Sequence, residues 1–227
     1  MTRRREALLR PAQGRYLRAL LSPRDRLLAA VEADAAAGGP PGRDPAVVRL
    51  LELVAAATRA RRILELGAGR GDGTLALARG APEASLVAIE PAAEREPAAR
   101  ELLAAGLVAD RVEWRVADPA SELFGLSGPF EIVALDAGRP GARRWLDLAL
   151  PLLAVRGVVV ADRCLGEGRL ADPGPEDLED PALKALELFN PYLMIHPQLR
   201  AVMLPVGDGV AVATKSRPLV RELGGPF

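Results

Sequence analysis

Residues 62 to 74, Arg-Ile-Leu-Glu-Leu-Gly-Ala-Gly-Arg-Gly-Asp-Gly-Thr, join a short apolar run to a helical pattern through glycines at 67, 69, 71 and 73. An apolar run that breaks into alternate glycines and resumes as a helix reads as the strand, tight turn and helix start of a βα unit. Glycine permits positive φ and removes the Cβ atoms that would keep a nucleotide-like group away from main-chain N–H groups. A generic strand-to-helix turn rarely needs so many glycines, so the stretch is read as a ligand-binding turn.

The flanking sequence extends this unit into a repeating pattern. Ser22-Pro23 has the form of an N-cap followed by a first-turn proline, and Leu27, Leu28, Val31 and Ala35 recur at helical spacing until Gly38-Gly39. Pro40-Pro41-Gly42-Arg43 reads as a loop, after which Asp44-Pro45 repeats the cap signal ahead of Val47, Val48, Leu50, Leu51 and Val54. Strand-like segments follow at Arg62 to Leu66, Leu86 to Glu90, Val112 to Ala117, Glu131 to Asp136 and Gly157 to Asp162, most of them separated by helical stretches. They are apolar without clear polar alternation, which suits parallel strands covered on both faces and joined by right-handed crossovers. The fold class is therefore α/β, a doubly wound, Rossmann-like sheet. Leu199 to Pro205 and Val210 to Lys215, separated by Val-Gly-Asp-Gly, predict an antiparallel hairpin at one sheet edge. Asp180-Pro181 caps a helix that Pro191 should kink or end, and Asp172 to Pro181 is expected to be a mobile loop.

At 227 residues and 49% hydrophobic content the chain suits one domain over 1–227, with N-terminal helices at about 16–60 and a Rossmann-like core at about 61–216. Thirty basic residues balance thirty acidic ones, so composition gives no electrostatic case for nucleic acid or an acidic membrane surface, and a small-molecule partner is expected. One cysteine, Cys164, excludes an internal disulfide framework. No apolar stretch approaches the roughly 20 residues that span a bilayer. Arg3 to Arg5 is not followed by a signal-peptide apolar segment, so a cytoplasmic location is expected.

In a doubly wound sheet, ligands bind beyond the carboxyl ends of the strands, where the glycine turn lies. Glu90 ends the second strand, 23 residues after Gly67, a position from which a carboxylate accepts from both hydroxyls of a ribose. Asp118 follows the third strand and could accept from an adenine amino group. A lone acidic residue at a strand end is otherwise a loop cap. A dinucleotide fingerprint would need glycine at 72, or glycine or alanine at 74; Asp72 and Thr74 stand there, which weakens a nicotinamide reading.

Glu65-Leu-Gly-Ala-Gly-Arg-Gly resembles the first motif of class I S-adenosylmethionine-dependent methyltransferases, whose seven-stranded sheet also ends in an antiparallel hairpin. Phe130-Glu-Ile-Val-Ala-Leu-Asp-Ala-Gly-Arg139, Trp145-Leu-Asp-Leu-Ala-Leu-Pro-Leu-Leu153, Gly157-Val-Val-Val-Ala-Asp-Arg-Cys-Leu165 and Leu204-Pro-Val-Gly-Asp-Gly209 look like successive blocks of the catechol and caffeoyl-CoA type O-methyltransferases. The similarity runs from about Tyr16 to Lys215. It implies that Glu65, the backbone from Gly67 through Ala68, Gly69 and Gly71 to Gly73, and Thr74 surround the methionine part of S-adenosylmethionine. Glu90 would then hold the ribose and Asp118 the adenine. It further implies a homodimer, and a divalent metal, Mg²⁺ or Ca²⁺, on Asp136 and Asp162; Asp136 would also border the cofactor. Such a metal holds the acceptor oxygens and lowers the hydroxyl pKa, because the oxyanion attacks a sulfonium methyl far more readily than a phenol does.

The chain departs from that pattern at the chemical positions. Arg163 stands where the family places asparagine as third protein ligand, and a guanidinium has no lone pair for a metal. Arg139 stands where the family places a lysine, and it cannot readily accept a proton. The catalytic set implied is Asp136, Arg139 and Asp162, with Arg163 folding over both aspartates and supplying positive charge where a metal would sit. The alternatives are an Arg163 that points to solvent beside a weakly held Mg²⁺, and a cofactor-binding homologue that has lost methyl transfer and acts through protein contacts. His196, the one histidine, reads as a surface residue, Cys164 as a packed thiol, and Trp114 and Trp145 as core or interface residues. Tyr16, Asp44 and Tyr192 fall in segments that could flank an acceptor.

Overall fold

The computed structural model describes residues 11–21, 25–36 and 42–216. Helices α1 (Pro11–Leu20), α2 (Arg26–Ala36) and α3 (Pro45–Thr58) lead into strand β1 (Arg62–Leu66). There follow α4 (Asp72–Gly80), β2 (Ser85–Glu90), α5 (Glu96–Ala105), β3 (Val112–Val116), α6 (Pro119–Glu122), β4 (Phe130–Asp136), α7 (Ala142–Ala149), β5 (Leu153–Asp162), α8 (Pro181–Ile195), β6 (Leu199–Leu204) and β7 (Val210–Lys215). The expected Ser22-Pro23 cap, the Gly38-Gly39 stop and Pro40-Pro41 lie outside the described residues.

The strands form a seven-stranded sheet in the order β3-β2-β1-β4-β5-β7-β6. Strands β1 to β5 are mutually parallel. The final strand inserts between β5 and β6 and runs antiparallel to both, as the Val-Gly-Asp-Gly turn predicts. Strand order reverses between β1 and β4, and the crevice outside their carboxyl ends is where such sheets bind ligands.

Period-two alternation along the strands divides the core into two layers. Ile63, Leu86, Ile132 and Val160 pack with Val47, Leu51, Leu75 and Leu102 from α3, α4 and α5. Leu64, Leu66, Val133 and Val159 pack with Trp145, Leu146, Leu186 and Phe189 from α7 and α8. Both faces are covered, which explains the near-continuous apolar strands. Among the described residues, no helix is long and apolar enough to cross a membrane.

The cap signals hold where they are described: the Asp44 carboxylate accepts from Ala46 N at 2.8 Å, and that of Asp180 from Ala182 N at 2.8 Å. Three expectations need correction. Strand β5 starts at Leu153 rather than Gly157, with a register shift against β4 between Phe130 and Ile132. Pro191 does not end α8, which continues to Ile195 because Leu186, Phe189 and Leu193 are buried on both sides of it. Burial of this size offsets the roughly 3 kcal/mol that a proline costs inside a helix. The stretch from Asp172 to Pro181 is not featureless: Pro175–Glu179 forms a 3-10 turn, and the Arg169 guanidinium donates to Asp177 at 3.0 Å and Asp180 at 2.9 Å.

Candidate functional site

The site is assembled where β1, β2, β4 and β5 end. Alternation places Glu65 on the same strand face as Ile63, so its carboxylate points into the α3–α4 layer, where it is buried and accepts a hydrogen bond from the Thr74 hydroxyl. Gly67, Gly69 and Gly71 have φ of 77°, 63° and 82°, the left-handed region in which a side chain is strained. Gly73 differs: it is helical, and its role is spatial. A Cβ there would lie 2.4 Å from Arg43 Nη1 and 2.6 Å from Glu65 Oε1.

The turn does not present free main-chain N–H groups at its glycines, contrary to the sequence expectation. The amides of Gly67 and Ala68 donate to Ile89 O, Gly71 to Ala68 O, and Gly73 to the Asp72 carboxylate. Gly69 N donates to Glu90 Oε2 at 2.7 Å. These groups are already satisfied inside the protein, so the turn is not a phosphate cradle.

Glu90 is fully buried at the end of β2. Its Oε1 accepts from Ala92 N at 3.1 Å and faces Arg139 Nη2 at 3.3 Å and Arg95 Nη1 at 3.6 Å. Asp118, beyond β3, caps α6 by accepting from Ala120 N at 3.1 Å.

Arg43 is the residue at this site that sequence reasoning missed. It arrives from the loop before α3 and is almost wholly buried against the turn. Nη2 lies 2.9 Å from Glu65 Oε1, Nη1 3.2 Å from Asp72 Oδ1, and Nε 3.3 Å from Asp162 Oδ2. Nη1 also donates to Ala68 O and Nη2 to Gly67 O, both at 3.4 Å. Burial alone would lower the Arg43 pKa, but the surrounding carboxylates of Glu65, Asp72, Asp162 and Asp136 hold it above its ordinary value. Burial pushes Glu65 up to about 7, against the opposing pull of Arg43 and the Thr74 hydroxyl. Burial likewise raises Asp162 above the usual carboxylate range, opposed by Arg43 and the backbone N–H of Arg163. The available sequence signal was Gly73, a fourth glycine whose helical position gives it no backbone reason to be glycine.

Asp136 and Asp162 are register partners at the ends of β4 and β5. Asp136 Oδ1 accepts from Gly138 N at 3.1 Å; its Oδ2 accepts from Arg139 Nε at 3.0 Å and from Arg163 Nη2. The Arg163 guanidinium thus covers Asp136 alone. It reaches Asp162 only through its backbone N–H, 2.6 Å from Oδ1, while the Asp162 side chain is faced by Arg43. Arg163 adopts φ 58°, a conformation that asparagine tolerates better than arginine. Among the described residues no group of three or more His, Cys, Asp or Glu side chains is placed to hold a metal. A cleft of about 260 Å³ beside these residues is lined by Arg95, Asp136, Gly138, Arg139, Arg163 and Leu186 among others.

The remaining candidates take other roles. His196 caps the end of α8, its Nδ1 accepting from Gln198 N at 3.2 Å. Cys164 is buried, its thiol donates to Ala161 O, and burial pushes its pKa up to about 12. Trp114 and Trp145 are core residues, and the Trp145 ring backs the space beside Gly67. Tyr16 is exposed on α1, Asp44 caps α3, and the Tyr192 hydroxyl donates to Asp147 beneath the Arg143 guanidinium.

Residues 43–216 match the model of a family described as O-methyltransferase. The sequence is 35% identical over 173 residues to a catechol O-methyltransferase of Mycobacterium tuberculosis, covering 73% of this chain and 76% of that protein. It is 30% identical over 200 residues to a catechol O-methyltransferase of Niastella koreensis, covering 83% and 89%. Among solved structures, the O-methyltransferase TomG of Streptomyces achromogenes, involved in tomaymycin synthesis and determined in complex with S-adenosylmethionine, superposes with a TM-score of 0.77 at 29% identity. That superposition covers 89% of this chain and 95% of TomG.

Proposed function

The chain belongs to the O-methyltransferase family, and we propose that it transfers the methyl group of S-adenosylmethionine to a hydroxyl of a small catechol- or phenol-like acceptor, with arginines serving where the resemblance implies a metal. The observation that carries the finer part is Asp136, whose Oδ2 is held at once by Arg139 and Arg163.

The adenosine half of the cofactor fits the residues present. Glu90 is buried beside the Gly69 amide, and Gly67, Gly69 and Gly71 take the positive φ that the tight turn after β1 requires. Asp118 keeps acceptor capacity for an adenine amino group beyond its cap bond, since a carboxylate takes about four. When bound, S-adenosylmethionine supplies an electrophilic sulfonium methyl that an acceptor oxygen attacks in line, leaving S-adenosylhomocysteine.

A divalent metal does not fit the donor set. Asp136 and Asp162 are two carboxylates, Arg163 offers no lone pair, and three guanidinium groups already face the two aspartates. In our reading Arg139 and Arg163 line the acceptor cleft with fixed positive charge, which stabilises a phenolate as it forms. Asp136 orients both guanidinium groups, and the cleft walls position the acceptor oxygen. No arginine takes the proton, which leaves to solvent water as the phenolate forms, so the acidity of the acceptor itself governs the rate.

The test is methyl transfer from S-adenosylmethionine to a panel of catechols and hydroxycinnamoyl thioesters. Product formation that is faster for more acidic acceptors is expected. Retained S-adenosylhomocysteine binding with no transfer to any hydroxyl would overturn the proposal in favour of a non-transferring homologue.

A further inference from the structure

Arg43 fills the amino-acid end of the turn, and its surroundings show what kind of ligand group belongs there. Every atom facing its guanidinium is an acceptor: the carbonyl oxygens of Gly67 and Ala68, and the carboxylates of Glu65, Asp72 and Asp162. A ligand carboxylate entering this space would find no donor, because each of the three guanidinium nitrogens already faces one of these groups. A ligand cation with several N–H bonds would find all the acceptors it needs. Of the two cationic centres in S-adenosylmethionine, the sulfonium has no N–H and the α-ammonium has three.

We propose that Arg43 is an internal stand-in for the α-ammonium group of the cofactor, occupying that subsite until the amino-acid end of the cofactor displaces it. The inference rests on the S-adenosylmethionine reading above. Three further observations support it. Gly73 leaves the volume that Nη1 occupies, so the chain is built to admit this side chain. The fit is nevertheless imperfect: Arg43 Nε and Glu65 Oε1 are buried without a well-aligned hydrogen bond, so exchanging partners forfeits few good ones. A separate cavity of about 40 Å³, lined by Arg43 itself with Leu28, Val31, Val48, Glu32 and Asp72, adjoins the side chain and gives a displaced guanidinium room to move.

The two cations compete for one set of acceptors, so the amino-acid tail adds little to cofactor affinity while Arg43 is present. The recognition burden shifts to the adenosine half, next to Glu90. Arg43 thus sets how strongly the protein distinguishes a complete cofactor from a truncated thioadenosine.

The experiment is calorimetric titration with S-adenosylhomocysteine and with 5′-methylthioadenosine, which keeps the adenosine and thioether but lacks the amino acid. In Arg43→Gln the ratio of the two affinities should rise about tenfold over wild type in favour of S-adenosylhomocysteine, with methylthioadenosine binding unchanged. Arg43→Lys keeps a buried cation should the glutamine variant fail to fold, and its ratio should rise by less, because one ammonium cannot face all five acceptors. A ratio that is unchanged or lower in the folded variants overturns the inference; a lower one would make Arg43 a carboxylate receptor. If wild type binds S-adenosylhomocysteine, that failure leaves the cofactor reading standing. Wild type that binds neither ligand overturns both.

Discussion

Gly73 and Arg43 share one volume: a Cβ on residue 73 would sit 2.4 Å from Arg43 Nη1, in a pocket where the guanidinium faces three carboxylates. The helix does not require glycine there, and in an exposed helix glycine would cost about 1 kcal/mol relative to alanine. Here the ranking should reverse. Gly73→Ala is expected to destabilise the protein by about 1–3 kcal/mol through overpacking, measured by urea unfolding. In an Arg43→Gln background the same substitution should cost less, and a double-mutant cycle reads the difference as coupling. Strict additivity would show that the two residues do not compete for space.

Glu90 fixes Gly69 N, and in the proposed function it also offers acceptors to a ribose. Glu90→Ala is expected to weaken S-adenosylhomocysteine binding by about 1–3 kcal/mol, the scale of a lost charged hydrogen-bonding group. Unchanged affinity by calorimetry would remove the ribose assignment.

Much of the fold was legible because strong local signals agreed with one another. Asp44-Pro45 and Asp180-Pro181 announced two helix starts through side-chain caps, and the uninterrupted apolar strands announced a sheet covered on both faces. Of the kink or end that Pro191 suggested, the end does not occur, because burial of Phe189 and Leu193 on either side of it is decided by the tertiary fold. At the site, Glu90 could be placed from its strand end, whereas Glu65, Asp136 and Asp162 came from the resemblance of their motifs; the parallel sheet is what brings them together. Arg43 could not be placed: it lies 22 residues before Glu65 in a loop with no motif, and only the folded path of α3 carries it back to the turn. The division of the two aspartates between Arg163 and Arg43 was hidden for the same reason.

Glu65 makes stability depend on pH in a definite direction. Its pKa, 4.5 in the reference state, is raised by burial to about 7, among Arg43, Asp72, Thr74 and Glu90. Below pH 4.5 both folded and unfolded chains hold the proton, and the contribution of Glu65 is fully present. As pH rises toward 7 the unfolded chain releases it first, so stability is lost through that window. Wild type should therefore fall relative to Glu65→Gln between those pH values in denaturant titrations. A flat difference would contradict the raised pKa.

In the proposed function, residue 163 decides whether the paired aspartates are free to take a metal. Arg163→Asn removes one guanidinium from Asp136, supplies an oxygen ligand, and suits the φ of 58° at this position. The variant should gain Mn²⁺ or Mg²⁺ affinity by at least about tenfold over wild type in equilibrium titration. Equal affinities would show that Arg163 does not control the donor set.

The most direct test of the arginine-for-metal account is wild-type turnover with divalent metal removed. Initial rates of methyl transfer to the best acceptor should be the same in excess EDTA as in millimolar Mg²⁺. Loss of transfer in EDTA, restored by Mg²⁺ bound stoichiometrically at Asp136 and Asp162, would contradict the account.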